Sequence, residues 1–221
     1  MNGFLHIPCK STSVRCPGKN LALVGGKPSV CWVIEAALES GLFNRIVVST
    51  DGDDVRRVLE AYPVGVVSQS PSTVIDTTHD ILEEEDYEDR ITIMLPTVCL
   101  LIPDDIQGAI DESNLYDDPV MAVVGFPYRL DEVVLQDESG HVHRPLTHGP
   151  AWIHDNDPQY LIDAGAIYTF PPGRFRDVSG MYVQKLRPYR IPRYRGVDIN
   201  EPEDLELVRQ LMGGRRWNSG S

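Results

Sequence analysis

The chain has 221 residues, 42% of them hydrophobic, and a formal net charge of −13. That length and apolar content suit one domain with a full core and exclude wholesale disorder. The acidity excludes broad nucleic-acid binding, which needs an extended basic surface, and no apolar run reaches the roughly 18 residues of a membrane span.

Residues 3–8 read as a short buried strand, followed by a polar loop to Asn20. Residues 28–42 carry Val30, Val33, Ile34, Ala37 and Leu38 at helical spacing, with Gly41 as a stop. A β-branched strand, RIVVS (45–49), precedes the helical DDVRRVLEAY, and VGVVS is the next strand. A helix is expected over DTTHDILEEE, a buried strand over ITIML (91–95), and a helix over PDDIQGAIDESN with Pro103 in its first turn. VMAVVGF (120–126) is a further strand.

This alternation predicts an α/β fold, a mainly parallel sheet with helices on both faces. Such sheets place ligands at the carboxyl ends of their strands, so the loops at 9–20, 50–53, 68–77 and 96–102 are candidates. The rhythm breaks after Pro127. EVVLQDESGHVHRPL reads as a hairpin turning at 137–140, AGAIYTF as a strand, YRGVDIN as the end of a last strand, and EPEDLELVRQLM as the closing helix. The expected organisation is a core of 1–126 and 166–212, an insertion at 127–165 and a tail at 213–221. Four cysteines without a CxxC pair, and no signal-like opening, predict reduced thiols in a cytoplasmic protein.

Charge is unevenly placed. Three of the four lysines, Lys10, Lys19 and Lys27, lie with Arg15 ahead of the first acidic residue, Glu35. A second acid-free window, 178–197, holds Lys185, Arg187, Arg190, Arg193 and Arg195. Two basic islands in an acidic chain point to a small anionic ligand, although solvated faces also produce such runs. The first loop has small residues, Ser11, Thr12 and Ser13, that let backbone N–H groups approach a phosphate, flanked by Lys10, Arg15 and Lys19. It matches neither a Walker loop nor a GxGxxG fingerprint.

Within VDIN, Asp198 stands where a strand end meets a helix, a suitable place for Mg²⁺ beside substrate phosphates. Asn200 reads either as a metal contact or as an N-cap, with Glu203 completing a capping box. STDG (49–52) ends a strand and is equally explained by capping. HVH (141–143) has ligand spacing but lies beside a turn and reads as solvated.

Together these motifs resemble the CMP–sugar-acid synthetases, cytidylyltransferases that activate sialic, pseudaminic and Kdo-type acids. IPCKSTSVRCPGKNL is similar to that family's opening IPARxxSxRxPxKN loop, and GGKPSVCWVIEAALESGLFNRIVVSTD, LPTVCL, DAGAIY and RYRGVDINEPEDLELV follow in the family's order. The resemblance implies a Rossmann-like fold with an inserted β-hairpin dimerisation element. It implies a reaction of CTP with a 2-keto sugar acid that gives a CMP-sugar and pyrophosphate, with Mg²⁺ and a homodimer. It assigns Lys10, Ser13, Arg15, Lys19 and Asn20 to CTP, Thr77 and Thr78 to a polar pair near the nucleotide, and Pro96 and Thr97 to the facing loop. Lys19, Arg15 and Asp198 would serve the chemistry, and Asp198 with Asn200 the metal. Asp163 and Gly165 match the acceptor region, and Arg193 or Arg195 would meet the acceptor's carboxylate. Lys10, Leu95, Ile162 to Gly165 and Asn200 depart from the sialic-acid pattern. The departures leave open another small acceptor, Kdo-like or a phosphonate, or a nucleotide-binding homologue without turnover.

Overall fold

Every residue of the first strand is buried, and the fold is arranged around it. The computed structural model describes residues 3–69, 72–127, 133–139, 141–143, 160–183 and 185–214. The chain opens with β1 (Gly3–Pro8), the short strands β2 (Leu23–Val24) and β3 (Lys27–Pro28), and α1 (Ser29–Ser40). It continues through β4 (Arg45–Thr50), α2 (Asp53–Leu59), β5 (Gly65–Ser68), α3 (Val74–Ile81), β6 (Arg90–Met94), α4 (Pro103–Tyr116) and β7 (Val120–Gly125). The hairpin β8 (Leu135–Gln136) and β9 (Val142–His143) follows, then β10 (Leu161–Phe170), β11 (Arg187–Arg190) and α5 (Pro202–Gly214).

Seven strands form one sheet in the order β11-β7-β10-β6-β1-β4-β5. β1 pairs in parallel with β4 and β6, and β4 with β5. β10 runs antiparallel to both β6 and β7. The reason lies in the connections. The early strands are joined by helical crossovers, which bring the chain back in the same direction. β10 instead follows the β8–β9 hairpin, and its first residue, Leu161, pairs with Gly125 at the end of β7, so it runs back along β7.

Side chains of β1 alternate between the two faces. Leu5 and Ile7 pack with Val33 and Ile34 of α1 and Ile106 and Ala109 of α4. Phe4 packs with Val47, Ile91, Ile93, Phe170 and Ile75 of α3. A central strand covered on both sides is apolar nearly throughout, which is why 3–8 reads as a continuous run.

Three expectations are corrected. The helix expected over 76–85 is α3 at Val74–Ile81, started by a Thr73–Asp76 capping box, with a separate 3₁₀ turn at Glu84–Glu88. YRGVDIN is not a strand. Pro192 has no N–H to give a ladder, and its carbonyl takes the amides of Arg195 (2.8 Å) and Gly196 (3.3 Å), closing a turn. The last strand, β11, forms earlier, beside β7. Finally, α5 runs to Gly214, two residues into the stretch expected as tail, and 215–221 lie outside the described residues. β2 and β3 were not expected; Gly25 and Gly26, both at positive φ, form their turn. Among the described residues no helix is long and apolar enough to cross a membrane.

His6 is fully buried on the α3 side of β1. Its Nδ1 hydrogen-bonds Thr78 Oγ1 at 2.7 Å and its Nε2 bonds Ser49 Oγ at 2.8 Å. Burial lowers its pKa from 6.5 to about 4. Below pH 6.5 the unfolded chain therefore binds a proton that the folded chain refuses. This contribution to stability is intact above pH 6.5 and falls as pH drops towards 4, by about 3 kcal/mol in all. Urea unfolding of wild type and His6→Gln at pH 7.5 and 4.5 checks this: the variant should lose much of the pH dependence, and equal slopes would reject it.

Candidate active site

The loop after β1 is pinned before it reaches any ligand. Cys9 N–H donates to the Ser49 carbonyl (2.8 Å), which continues the ladder one residue past β1. Asp51 Oδ1 then accepts the Ser11 amide at 2.7 Å, and Asn20 Nδ2 donates to the Lys10 carbonyl at 2.7 Å. The Ser11 amide is the main reason that the Asp51 carboxyl is held below its usual range. At the far end, Ser29 Oγ donates to the Lys19 carbonyl (2.6 Å) and Val30 N–H to the Asn20 carbonyl (3.1 Å), fastening the loop to α1. Gly18, at φ +71°, supplies the left-handed turn between them.

This loop forms one wall of a cleft of about 270 Å³ at the carboxyl ends of β1, β5 and β6. The lining includes Lys10, Thr12, Ser13, Lys19 and Asn20 from the loop, Gln69 and Val74 beyond β5, and Leu95, Pro96 and Thr97 beyond β6. Three of the loops expected to carry the site therefore line the cleft, and the fourth, through Asp51, anchors it.

Asp198 and Asn200 close the same region. Lys19 Nζ donates to the Ile199 carbonyl at 2.5 Å, and Ile199 N–H donates to the Thr97 carbonyl at 3.2 Å. Asn200 Oδ1 accepts from Arg15 Nη2 at 2.7 Å and from Lys19 Nζ at 3.4 Å, while its Nδ2 donates to Asp198 Oδ2 at 2.7 Å. Arg15 also lies 3.7 Å from Glu201. The other oxygen of Asp198, Oδ1, is buried and has no hydrogen-bond partner. Gly165, at φ +59°, stands beside this carboxylate: a Cβ there would lie 3.2 Å from Asp198 Oδ2. Asn200 does not cap α5; Asp204 Oδ2 takes the amides of Asn200 (2.9 Å) and Glu201 (2.7 Å).

The remaining sequence candidates fall elsewhere. Thr77 and Thr78 are fully buried in α3. Thr77 Oγ1 bonds the Thr73 carbonyl, and Thr78 Oγ1 the Val74 carbonyl and His6, so neither hydroxyl faces the cleft. The Asp163 carboxylate already accepts three donors: Gly165 N–H (2.9 Å), Tyr168 OH (2.6 Å) and Tyr182 OH (2.8 Å). Burial, followed by Asp163, pushes the Tyr168 phenol far up, so it stays protonated and donating. Arg193 is exposed, whereas Arg195 is engaged with Asp105 at 2.8 Å. Sequence reasoning missed Gln69, Asp51 as an anchor, Tyr168 and Tyr182. Gln69 and Asp51 follow strands directly, a signal available in the pattern; Tyr182 carried none.

All four cysteines are free and buried. Cys9, at the start of the loop, is pushed up to about 12, chiefly by burial.

A cleft lined by Lys10 and Lys19 at parallel strand ends, and joined through Lys19 to the segment of Asp198, suits an anionic ligand. Residues 6–144 match the family described as Cytidylyltransferase, and the chain belongs to that family. It is similar to the CMP-N,N'-diacetyllegionaminic acid synthase of Legionella pneumophila, at 27% identity over 93% of this chain and 94% of that one. It is also similar to the pseudaminic acid cytidylyltransferase of Campylobacter jejuni, at 24% identity over 96% of both. The solved CMP:2-keto-3-deoxy-manno-octonic acid synthetase complexed with CTP has the same fold, with a TM-score of 0.68 over 96% of this chain and 99% of that one, at 17% identity.

Arg195 offers a direct check on its position. Asp105 is only 2% exposed, and Arg195 is its partner. Arg195→Ala leaves that carboxylate buried without a counter-charge, so it should cost about 3 kcal/mol of stability. Denaturant unfolding reads this. A loss below about 1 kcal/mol, the scale of a surface pair, would reject the assignment.

Proposed function

We propose that the protein transfers CMP from CTP to the anomeric hydroxyl of a 2-keto nonulosonic-type sugar acid and releases pyrophosphate. The observation that carries this reading is the single cleft in which Lys10, Ser13 and Lys19 line one wall and Lys19 reaches the segment of Asp198. The near full-length similarity to synthases of legionaminic and pseudaminic acid supports the acceptor class.

In this reading the triphosphate, with about four negative charges, lies against the acid-free loop. The acceptor hydroxyl attacks the α-phosphorus in line and releases its proton to water, the bond from that phosphorus to the bridging oxygen breaks, and pyrophosphate departs with the negative charge. The protein's task is positioning and charge neutralisation. Lys10, Arg15 and Lys19 hold the phosphates and neutralise the leaving group. Pro96 and Thr97 shape the facing wall.

The residues also fit a divalent ion. Asp198 Oδ1 is a buried carboxylate oxygen lacking any donor. Among the described residues no cluster of three His, Cys, Asp or Glu side chains could hold a metal alone. One carboxylate completed by phosphate oxygens and water is an ordinary setting for Mg²⁺. Held by Asp198, Mg²⁺ would neutralise phosphate charge beside the loop cations.

A homodimer belongs to the same reading. Val134, Leu135 and Val142 on the hairpin and Ile162 at the start of β10 are all exposed, and a second copy would cover such apolar residues. The free thiols support a reducing, cytoplasmic setting.

Pyrophosphate release from CTP and Mg²⁺, assayed over pseudaminic, legionaminic, sialic and Kdo acids and small phosphonates, tests the reaction and the acceptor together. Release with a nonulosonic acid is expected; release only with Kdo or a phosphonate would reassign the acceptor. Lys19→Ala should lower turnover about a hundredfold, and near-normal turnover would remove Lys19 from the chemistry. Val142→Asp should convert a dimer to a monomer in sedimentation; an unchanged mass would move the interface elsewhere.

A further inference from the structure

We propose that Asn200 is a positioning residue that couples the loop cations to Asp198 and makes divalent-cation binding depend on the nucleotide. The inference rests on the reading above, in which Asp198 meets a metal beside the triphosphate.

The carboxamide has one orientation that chemistry allows. Arg15 and Lys19 can only donate, and the Asp198 carboxylate can only accept. The oxygen of Asn200 must therefore face Arg15 (2.7 Å) and Lys19 (3.4 Å), and its NH₂ must face Asp198 Oδ2 (2.7 Å). A flipped amide would set NH₂ against two cations and oxygen against a carboxylate. Two cationic donors then face the amide oxygen, which opposes its use as a metal ligand. The turn that presents it is held independently, because Asp204 receives the Asn200 amide.

Charge counting gives the consequence. The connected groups are Asp198, Glu201 and Asp204, each −1, and Arg15 and Lys19, each +1. Without nucleotide the carboxylates exceed the cations by only one charge, and Asp198 keeps one unpartnered oxygen, Oδ1. One carboxylate oxygen beside two cations is a poor trap for a divalent ion. The arriving triphosphate adds about four negative charges and its own oxygens, so the site acquires metal affinity with the nucleotide. An aspartate at 200 would change both terms. It adds a negative charge and withdraws the donor from Asp198, leaving two adjacent carboxylates that a divalent ion can bridge.

The test is a titration of nucleotide-free protein with Mn²⁺, followed by electron paramagnetic resonance, so it needs neither acceptor nor turnover. Wild type should bind Mn²⁺ weakly. Asn200→Asp should tighten binding by about tenfold or more, since ligand charge sets affinity at such sites. Adding Asp198→Asn to Asn200→Asp should abolish the gain. Asn200→Ala removes the link without adding charge and should show no gain. Wild type binding Mn²⁺ as tightly as Asn200→Asp overturns the inference, as does a folded Asn200→Asp with no gain. If Asn200→Asp does not fold, wild type decides alone: Mn²⁺ binding as tight without nucleotide as with CTP overturns the inference. Pyrophosphate release tests the catalytic reading separately, so the two can fail independently.

Discussion

An ammonium group joins the two ends of this chain. Lys19 sits near the close of the first loop, and its Nζ donates to the carbonyl of Ile199, 180 residues away. The amide of that same Ile199 donates to the Thr97 carbonyl. Three segments that leave different parts of the fold are thereby held at one place: the β1 loop, the β6 loop and the stretch before α5. The cleft depends on this junction, because its walls come from separate elements. A lysine suits the position, since its three donors can satisfy a carbonyl and an amide and still face an anion.

Much of this was legible in the sequence. The central strands show as apolar, β-branched runs because they are covered on both faces. The helices on either side show their spacing and their stops. The acid-free opening pointed to a loop that lines the cleft, because electrostatics works through composition as well as through position. What escaped has a common cause. The antiparallel course of β10 follows from its connection, and no property of its residues encodes direction. The turn at 192–196 is closed by the Pro192 carbonyl, which takes the amides of Arg195 and Gly196, a local bonding pattern that residue types alone do not announce.

The site candidates divide in the same way. Lys10, Ser13, Lys19, Asn20, Pro96 and Thr97 meet at one cleft, since they belong to the loops that follow β1 and β6. Thr77 and Thr78 lie on α3, where helical geometry turns their hydroxyls to the backbone and to His6. Arg195 belongs to a basic window whose members have different fates: it neutralises Asp105, while Arg187 meets Asp118 and covers Tyr116. A charge count cannot separate a guanidinium waiting for a ligand from one already satisfied. Burial of the partner does so.

The buried thiol that begins the loop bears on how the protein withstands oxidants. Cys9 lies beside the backbone that cradles the cleft, where a reactive sulfur would expose the loop to sulfenic acid or mixed disulfide formation. With its pKa pushed up to about 12, chiefly by burial, Cys9 carries little thiolate at neutral pH. Cys9 has no exposed surface, and Cys16, Cys31 and Cys99 are at most 4% exposed. Peroxide and alkylating agents thus find little to attack near the cleft while the fold is closed, and thiol labelling of Cys9 would report the opening of β1.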